Sequence, residues 1–181
     1  MSGLLAAPGR LALIERRVIS AASAAIDFVD LPYSAFAGFI LHASGVKNDG
    51  DATVYLRLRR AGQASFDAGT GHYKFATLLW SSAPAGPSNI SATANHISLG
   101  SLGGLSNEAG ALRAELWRPG YAAANKPVQY SWSAHDSGGH MRCNSGAGFT
   151  VAGVEAIDGM RITQDAGNID EGHFDLFGVR A

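Results

Sequence analysis

Two histidines, an aspartate and a cysteine occur together in the segment His135-Asp-Ser-Gly-Gly-His-Met-Arg-Cys143. These side-chain types bind zinc, so a metal site is one interpretation of the segment. A structural zinc site needs four ligands, commonly as two closely spaced pairs, and the sequence shows no second pair. The alternative is a β-hairpin whose turn is 136–139, with His135 and His140 flanking it. We favour the hairpin, and we expect no metal and no other cofactor.

Motifs for covalent catalysis or phosphate binding are missing from the sequence. There is no Gly-x-Ser-x-Gly segment of the kind that presents a nucleophilic serine. The glycine-rich segment Leu99-Gly-Ser-Leu-Gly-Gly104 lacks the Gly-Lys-Ser/Thr ending of a phosphate loop, so we expect a loop between strands. Cys143 is expected to be a small buried side chain rather than a nucleophile. A polysaccharide hydrolase would need paired carboxylates, which spacing does not reveal here. We therefore expect a non-enzymatic protein.

Aromatic side chains near serine, asparagine and glycine are a better functional indication. Flat rings beside short polar groups suit sugar binding, and protein interfaces are enriched in Trp and Tyr. Four side chains are candidates for a surface or glycan contact: Trp117, Trp80, Tyr121 and His72. For Trp80 a place in the core is the alternative. A core position is favoured for Trp132, because Val128 and Tyr130 share its face of the strand.

These residues must be positioned by β-strands, because apolar and polar residues alternate with a period of two. In 53–60, for example, Val54, Leu56 and Leu58 fall on one face and Tyr55 and Arg57 on the other. The same reasoning predicts strands at 13–19, 24–30, 36–43, 53–60, 73–80, 96–99, 111–118, 128–135, 140–143, 160–164 and 172–179. Turn-forming residues separate them at 47–50, 67–71, 84–87, 118–120, 136–139 and 165–168. About ten short strands predict an all-β fold, an antiparallel β-sandwich of the jelly-roll kind.

Composition limits the classes of function. Alanine, glycine and serine supply 71 of the 181 residues, charged residues only 16%, and the net charge is −1. We expect no nucleic-acid binding, which needs clustered Lys and Arg, and no membrane insertion, which needs about 20 consecutive apolar residues. Cys143 is the only cysteine and the first ten residues do not resemble a signal peptide, so we expect synthesis and assembly in a cytoplasm.

The length predicts a single sandwich domain, 12–181, after an N-terminal arm, 1–11. With so few charged residues, much of the surface must consist of small neutral side chains. Such faces suit contact with copies of the chain or with other subunits, since no charge is then desolvated. A monomer with a plain polar surface is the alternative.

The C-terminal segment is the most distinctive part of the sequence. It is expected to form a hairpin, in which strand 160–163 leads through a Gly167-Asn168 turn to strand 172–179. The segment resembles the ends of a family of bacteriophage virion proteins, which read loosely GNI-x-x-G-x-F-x-L-Y/F-G-hydrophobic. The matching residues here are Gly167, Asn168, Ile169, Gly172, Phe174, Leu176, Phe177, Gly178 and Val179. The family often has Tyr where Phe177 stands.

The N-terminal half is also similar to this family, so the resemblance spans about 12–180. Matching segments are 18–23, 26–28, Tyr33, 49–51, 56–59, 65–67 and Tyr73. The resemblance implies a β-sandwich module of a tail fibre, head fibre or capsid decoration, with no catalytic residues. It also implies other virion proteins as partners and a virion location after assembly in the host cytoplasm. From this and the composition we expect a self-associating structural protein, with a trimer favoured. The alternative is a fibre module that binds a host receptor or surface glycan.

Overall fold

The structure is a computed structural model that describes residues 10–82, 89–104, 108–136, 138–150, 153 and 155–180. Apart from a single 3-10 turn, Tyr33–Ala35, the regular structure of these residues is β-strand. The strands are β1 (Leu11–Ile19), β2 (Ala25–Phe28), β3 (Gly38–Asn48), β4 (Ala52–Arg60), β5 (Tyr73–Ser81), β6 (Asn89–Ala94), β7 (Ile97–Leu102), β8 (Gly110–Trp117), β9 (Pro127–His135), β10 (Met141–Thr150), β11 (Ile157–Gln164) and β12 (Ile169–Val179).

The strands form two antiparallel sheets that pack as a jelly-roll sandwich. The eight-stranded sheet has the order β1-β12-β3-β8-β9-β10-β5-β6, and the four-stranded sheet has the order β2-β11-β4-β7. Strand β1 pairs with β12, β2 with β11, β3 with β8 and β4 with β7. This nested pairing is that of one long hairpin folded over itself, which is how a jelly roll is wound. The prediction of an all-β, jelly-roll-like sandwich is confirmed.

Two insertions enlarge one of the sheets. Strands β5 and β6 lie between β4 and β7 in the chain, and β9 and β10 lie between β8 and β11. All four join the eight-stranded sheet beyond β8. The four-stranded sheet covers one face of this extension, where β7 contacts β9, β10 and β5. The opposite face, here called the outer face, has no second layer among the described residues.

Alternation of side chains builds the core as predicted. On β4, Val54, Leu56 and Leu58 are fully buried between the sheets. Trp132 is also in the core, with 2% of its surface exposed. Because burial of large apolar side chains is the main favourable contribution to folding, these inward positions fix the register of each strand.

Side chains of the eight-stranded sheet donate hydrogen bonds to the main chain of β7, in the four-stranded sheet. The Tyr130 hydroxyl donates to the Ser98 carbonyl oxygen (2.8 Å), and Asn144 Nδ2 donates to the Leu99 carbonyl oxygen (2.8 Å). Strand β7 has a strand partner, β4, on one side only. These bonds therefore join the two sheets through the main chain of β7.

Four predictions about elements are corrected. Most of the predicted loop 99–104 is strand, because Leu99 and Leu102 are buried in β7 and only Gly103 and Gly104 follow it. The strand predicted at 140–143 continues to Thr150, and β6 was not predicted at all. The C-terminal hairpin is also wrong, since β11 and β12 belong to different sheets and the chain crosses between them. The turn predicted at 84–87 lies outside the described residues, as does most of the predicted arm 1–11, and Leu11 already belongs to β1.

The C-terminal signature residues serve to close the fold. Strand β12 lies between β1 and β3, where Phe174 and Leu176 are fully buried. Gly178 packs against the ring of Phe36, and a Cβ at this position would lie 2.7 Å from Phe36 Cγ. At the start of the segment, Asp49 accepts bonds from the main-chain N–H (2.7 Å) and Nδ2 (3.0 Å) of Asn168. The signature residues therefore contribute to the packing of the last strand.

Candidate functional site

The outer face of the eight-stranded sheet carries charged groups on one half. A row of side chains crosses β12, β3 and β8, because Asp175 is opposite His42 and His42 is opposite Arg113. Arg16, on β1, forms a two-bond ion pair with Asp175 (2.7 and 2.9 Å). The Arg113 guanidinium contacts His42 Nε2 (2.9 Å) and donates to Glu115 Oε1 (2.7 Å).

The charges in this row neutralise one another, and the pKa shifts follow from the pairing. The hydrogen bond and positive charge of Arg16 lower the pKa of the Asp175 carboxyl. Burial, and secondly the charge of Arg113, lower the pKa of His42, so this imidazole favours its neutral form. Neutral His42 can accept the bond from Arg113 at Nε2, which a charged imidazole cannot. The row therefore presents hydrogen-bonding groups with little net charge.

The other half of the outer face carries mainly short, uncharged side chains. Ser131 lies opposite Ser145, and Ser133 lies opposite Cys143, in the centre of the extension. Trp80 of β5 lies opposite Cys143 on the far side, and 56% of its surface is exposed. These short side chains lie between Trp80 on one flank and Arg113 with His42 on the other.

The short side chains of Ser131, Ser133, Ser145 and Cys143 form the floor of a depression of about 650 Å³, here called the trough. Trp80 and Arg113 line its two sides. The free thiol of Cys143 is half-buried in this floor and is not in the core, so the prediction of a buried cysteine is wrong.

A second depression, of about 420 Å³, lies further along the same face and is apolar. It is here called the apolar hollow, lined by Ala76, Ile90, Pro127, Ala147 and Phe149. Ile90 is 76% exposed and Phe149 is 37% exposed. Large exposed apolar side chains that lie together on one surface are typical of a site that contacts another molecule.

The structure does not bring the four candidate contact residues together. Trp80 is the aromatic of the trough. Trp117 lies on the same face, but its ring packs over Gly38 and its indole donates to Glu115 Oε2 (3.2 Å). Trp117 is six positions along β8 from Ala111, which lines the trough, and six positions span about 20 Å in an extended strand. The ring of Trp117 is therefore half-buried at the far end of the face.

The two remaining candidates lie in connections between strands. Tyr121 follows β8, is half exposed, and has the Arg118 guanidinium 5.6 Å from the centre of its ring. His72 immediately precedes β5 and lies 3.7 Å from Asp67. Neither of them lines the trough.

Apart from Trp80 and Cys143, the trough residues carry no motif that marks them as a site. Ser131, Ser133 and Arg113 occupy positions that alternate with buried residues of β8 and β9, so periodicity alone placed them on the outer face. The predicted hairpin places β10 beside β9, but no sequence signal identified β5 as the next strand, because the β5–β10 pairing joins residues far apart in the chain.

The His135–Cys143 segment forms the predicted hairpin, in which His135 of β9 pairs with Met141 of β10. Asp136 accepts hydrogen bonds from the main-chain N–H of Gly138 and of His140 (both 3.0 Å) and from Arg142 Nε (2.5 Å). Its carboxylate thus orders the turn. Within the described ranges, no group of three or more His, Cys, Asp and Glu side chains is placed to hold a metal ion. In the same ranges, no helix is long and apolar enough to cross a membrane.

Comparisons with known proteins add little to this geometry. No protein-family model matches the chain, and none of the curated proteins matches it. One solved structure, a protein of unknown function from Bacteroides ovatus, shares 7% identity with a TM-score of 0.22. The match covers 63% of this chain and 45% of the other. Arguments about function therefore depend on the residues of the chain itself.

Proposed function

We propose that the chain is a non-enzymatic structural protein of a bacteriophage virion, exposed on the particle as a fibre or decoration component and self-associating, with a trimer favoured. The observation that carries the proposal is the apolar hollow on the outer face. The jelly-roll sandwich supports it, because this architecture is common in viral capsid domains. The C-terminal resemblance to virion proteins supports it as well, since its residues close the same fold.

The apolar hollow suits contact with a second copy of the chain. Its floor is made of Ala76 and Ala147, so another surface can approach the sheet closely. Ile90 and Phe149 would be removed from water in that contact, and each fully buried side chain of this size contributes about 1.5–3 kcal/mol. The polar lining is mainly uncharged, and the amine of Lys74 at the edge can stay in solvent. Burial of the hollow therefore desolvates no unpaired charge.

A trimer requires the hollow to meet a different surface of the neighbouring copy, because three-fold contacts are heterologous. Other virion proteins would then bind the faces that remain outside the ring. Assembly in the host cytoplasm and a location on the particle follow from this role.

Self-association is tested by sedimentation velocity on the purified chain at about 50 μM, a concentration at which micromolar contacts are populated. The wild type is expected as an oligomer, with a trimer near three times the 18.8 kDa chain mass. Ile90→Asp is expected to yield monomers, because a carboxylate would be desolvated in the contact. Val18→Asp is the matched control, since Val18 is also exposed (56%) but lies on β1 at the other edge of the sheet. A monomeric wild type, or an unchanged Ile90→Asp oligomer, would contradict the proposal.

The particle location is tested separately. Antibodies against the chain are expected to label purified phage particles by immunogold electron microscopy. Particles that contain no such chain by mass spectrometry would reject the virion role, whatever the oligomeric state.

A second candidate function is a receptor- or glycan-binding module of a tail fibre. The observation in its favour is the exposed indole of Trp80 beside serine hydroxyls that make no hydrogen bond to any described residue. The two functions are compatible, because the trough and the apolar hollow occupy different parts of one face.

A further inference from the structure

We propose that the trough is a binding site for a neutral carbohydrate chain, with the Trp80 indole as the stacking surface and the hydroxyls of Ser131, Ser133 and Ser145 as hydrogen-bonding partners. The inference deepens the second candidate function and does not depend on self-association, which we assign to the apolar hollow.

Trp80 presents a flat apolar ring to solvent. It projects from β5 beside Cys143, and more than half of its surface is exposed. No ring or cation contact to it is formed within the described part of the chain. An unoccupied indole of this kind can stack on the apolar face of a sugar ring, while its N–H is free to bond a hydroxyl.

The serine floor supplies the polar groups that such a ligand needs. Within the described residues, the hydroxyls of Ser131, Ser133 and Ser145 make no hydrogen bond. Each hydroxyl offers one donor and two acceptor positions, which matches the donor and acceptor character of sugar hydroxyls. Ser131 and Ser145 are cross-strand partners, so their Cβ atoms are about 5 Å apart and can bond neighbouring groups of one ligand.

The same hydroxyls argue against a second copy of the chain as the occupant. A protein surface rich in alanine and leucine would bury three hydroxyls without partners, and each unsatisfied group costs about 1–3 kcal/mol. A carbohydrate satisfies them. The apolar hollow, which has no comparable row of hydroxyls, suits the second copy better.

The charged flank of the trough favours a neutral ligand. Arg113 is already bonded to Glu115, and Asp175 to Arg16, so these charges are compensated within the chain. An acidic sugar would have to compete with Glu115 for the guanidinium and would meet the negative charge of Asp175. The guanidinium can still donate its remaining N–H groups to uncharged hydroxyls.

The test is the binding of defined oligosaccharides to the full chain. Isothermal titration calorimetry and ligand-observed NMR measure the binding. The probes are neutral hexasaccharides built from glucose, galactose and N-acetylglucosamine, with a uronic-acid hexasaccharide as the charged comparison. At least one neutral probe is expected to bind with a dissociation constant below about 10 mM, and Trp80→Ala is expected to weaken it about tenfold. Ser131→Ala with Ser145→Ala is expected to weaken it by a similar factor.

Tyr121→Ala is the matched control, because Tyr121 is an exposed aromatic outside the trough and its loss should leave binding unchanged. Circular dichroism melts of each variant check that Trp80 and the serines are replaced without unfolding. Absence of binding by every neutral probe, tighter binding of the uronic-acid probe, or unchanged binding by Trp80→Ala would overturn the proposal.

A Phe149→Asp variant separates this proposal from self-association, because Phe149 lines the apolar hollow but not the depression that Ile90 shares with Ser131 and Ser145. Carbohydrate binding is expected to persist in that variant with the affinity of the wild type. Loss of binding together with loss of the oligomer would place the site between copies and overturn a trough formed by one chain.

Discussion

The indole nitrogen of Trp132 donates a hydrogen bond of 3.0 Å to the carbonyl oxygen of Ser101, and so joins the two sheets of the sandwich. Trp132 belongs to β9 and Ser101 to β7. The ring can reach β7 because the neighbouring residue is Gly100, where a Cβ would lie 2.5 Å from Trp132 Cδ1. Gly110 makes room at the other end of the ring, where a Cβ would lie 2.6 Å from Cη2. One buried side chain thus combines core packing with a bond between sheets.

The first prediction concerns this residue. Trp132→Phe is expected to lower the free energy of unfolding by about 2–4 kcal/mol, because it leaves a cavity and an unsatisfied Ser101 carbonyl. Equilibrium unfolding in urea measures the change. Trp80→Phe is the control, since Trp80 is exposed on the outer face, and its effect is expected to stay within about 0.5 kcal/mol. Equal losses in the two variants would contradict the assignment of Trp132 to the core.

The alternation of apolar and polar residues along a strand explains which strands could be predicted from the sequence. Strands β4, β8 and β9 carry a strict period of two, so the sequence reveals both their existence and their inward faces. The strand predicted at 140–143 ended before Gly146 and Gly148, which have no side chain to continue the alternation. Glycine allows close packing here, since a Cβ at Gly146 would lie 2.5 Å from the Tyr130 hydroxyl. Strand β6 was missed because its one large apolar residue, Ile90, points into solvent.

Strand pairing could not be predicted in the same way, and the candidate site depends on it. The sequence places Trp80 and Ser145 in separate segments, and only the pairing of β5 with β10 brings them to one surface. The jelly-roll winding likewise separates β11 from β12, although the two are adjacent in the chain. Non-local pairing is set by packing of the whole core, which no local pattern encodes.

The second prediction tests the C-terminal signature as a folding element. Gly178→Ala is expected to cost about 1–3 kcal/mol of unfolding free energy, because the new methyl group would overlap the ring of Phe36. Urea unfolding measures the change. Gly50→Ala is the matched control, because a Cβ at Gly50 has no other atom within 4 Å. A Gly178→Ala protein as stable as Gly50→Ala would show that the signature residue has no packing role.

The third prediction concerns pH and the neutral histidines. Burial first, and a nearby arginine second, lower the pKa of both His42 and His96 below the ordinary value of 6.5. Below about pH 6.5 the unfolded chain therefore binds protons that the folded chain resists, so the folded state loses stability as the pH falls. A gain of stability as the pH falls would require the folded state to raise the pKa of these histidines.

Urea unfolding at about pH 7.5 and at about pH 5.5 measures this loss of stability. Both pH values lie above the range in which most carboxylates titrate. The wild type is expected to be less stable at the lower pH. His42→Gln is expected to lose less, and His42→Gln with His96→Gln less again, because glutamine does not titrate. Equal losses in the wild type and the double variant would reject the two histidines as the cause.

The fourth prediction concerns the turn between β9 and β10. The ion-paired hydrogen bond from Arg142, followed by the main-chain N–H groups of His140 and Gly138, lowers the pKa of Asp136 to about 2. The folded chain therefore holds this carboxylate ionised more strongly than the unfolded chain does. Its contribution to stability is complete above the unfolded value of 3.8 and is lost as the pH falls from 3.8 towards 2.

At neutral pH, thermal midpoints measured by circular dichroism are expected to fall in the order wild type, Asp136→Asn, Asp136→Ala. Asparagine keeps an oxygen that can accept from the His140 and Gly138 N–H groups but loses the charge that pairs with Arg142, and alanine loses all three bonds. Amide hydrogen exchange at His140 is expected to accelerate in the same order, which localises the effect to the turn. At about pH 2 the midpoints of the wild type and Asp136→Asn should nearly converge. The carboxyl of the unfolded chain is then protonated and that of the folded chain about half protonated, so most of the contribution of the charge is lost. A gap between the two that is undiminished at about pH 2, or an Asp136→Ala protein that melts with the wild type at neutral pH, would show that the carboxylate does not order this hairpin.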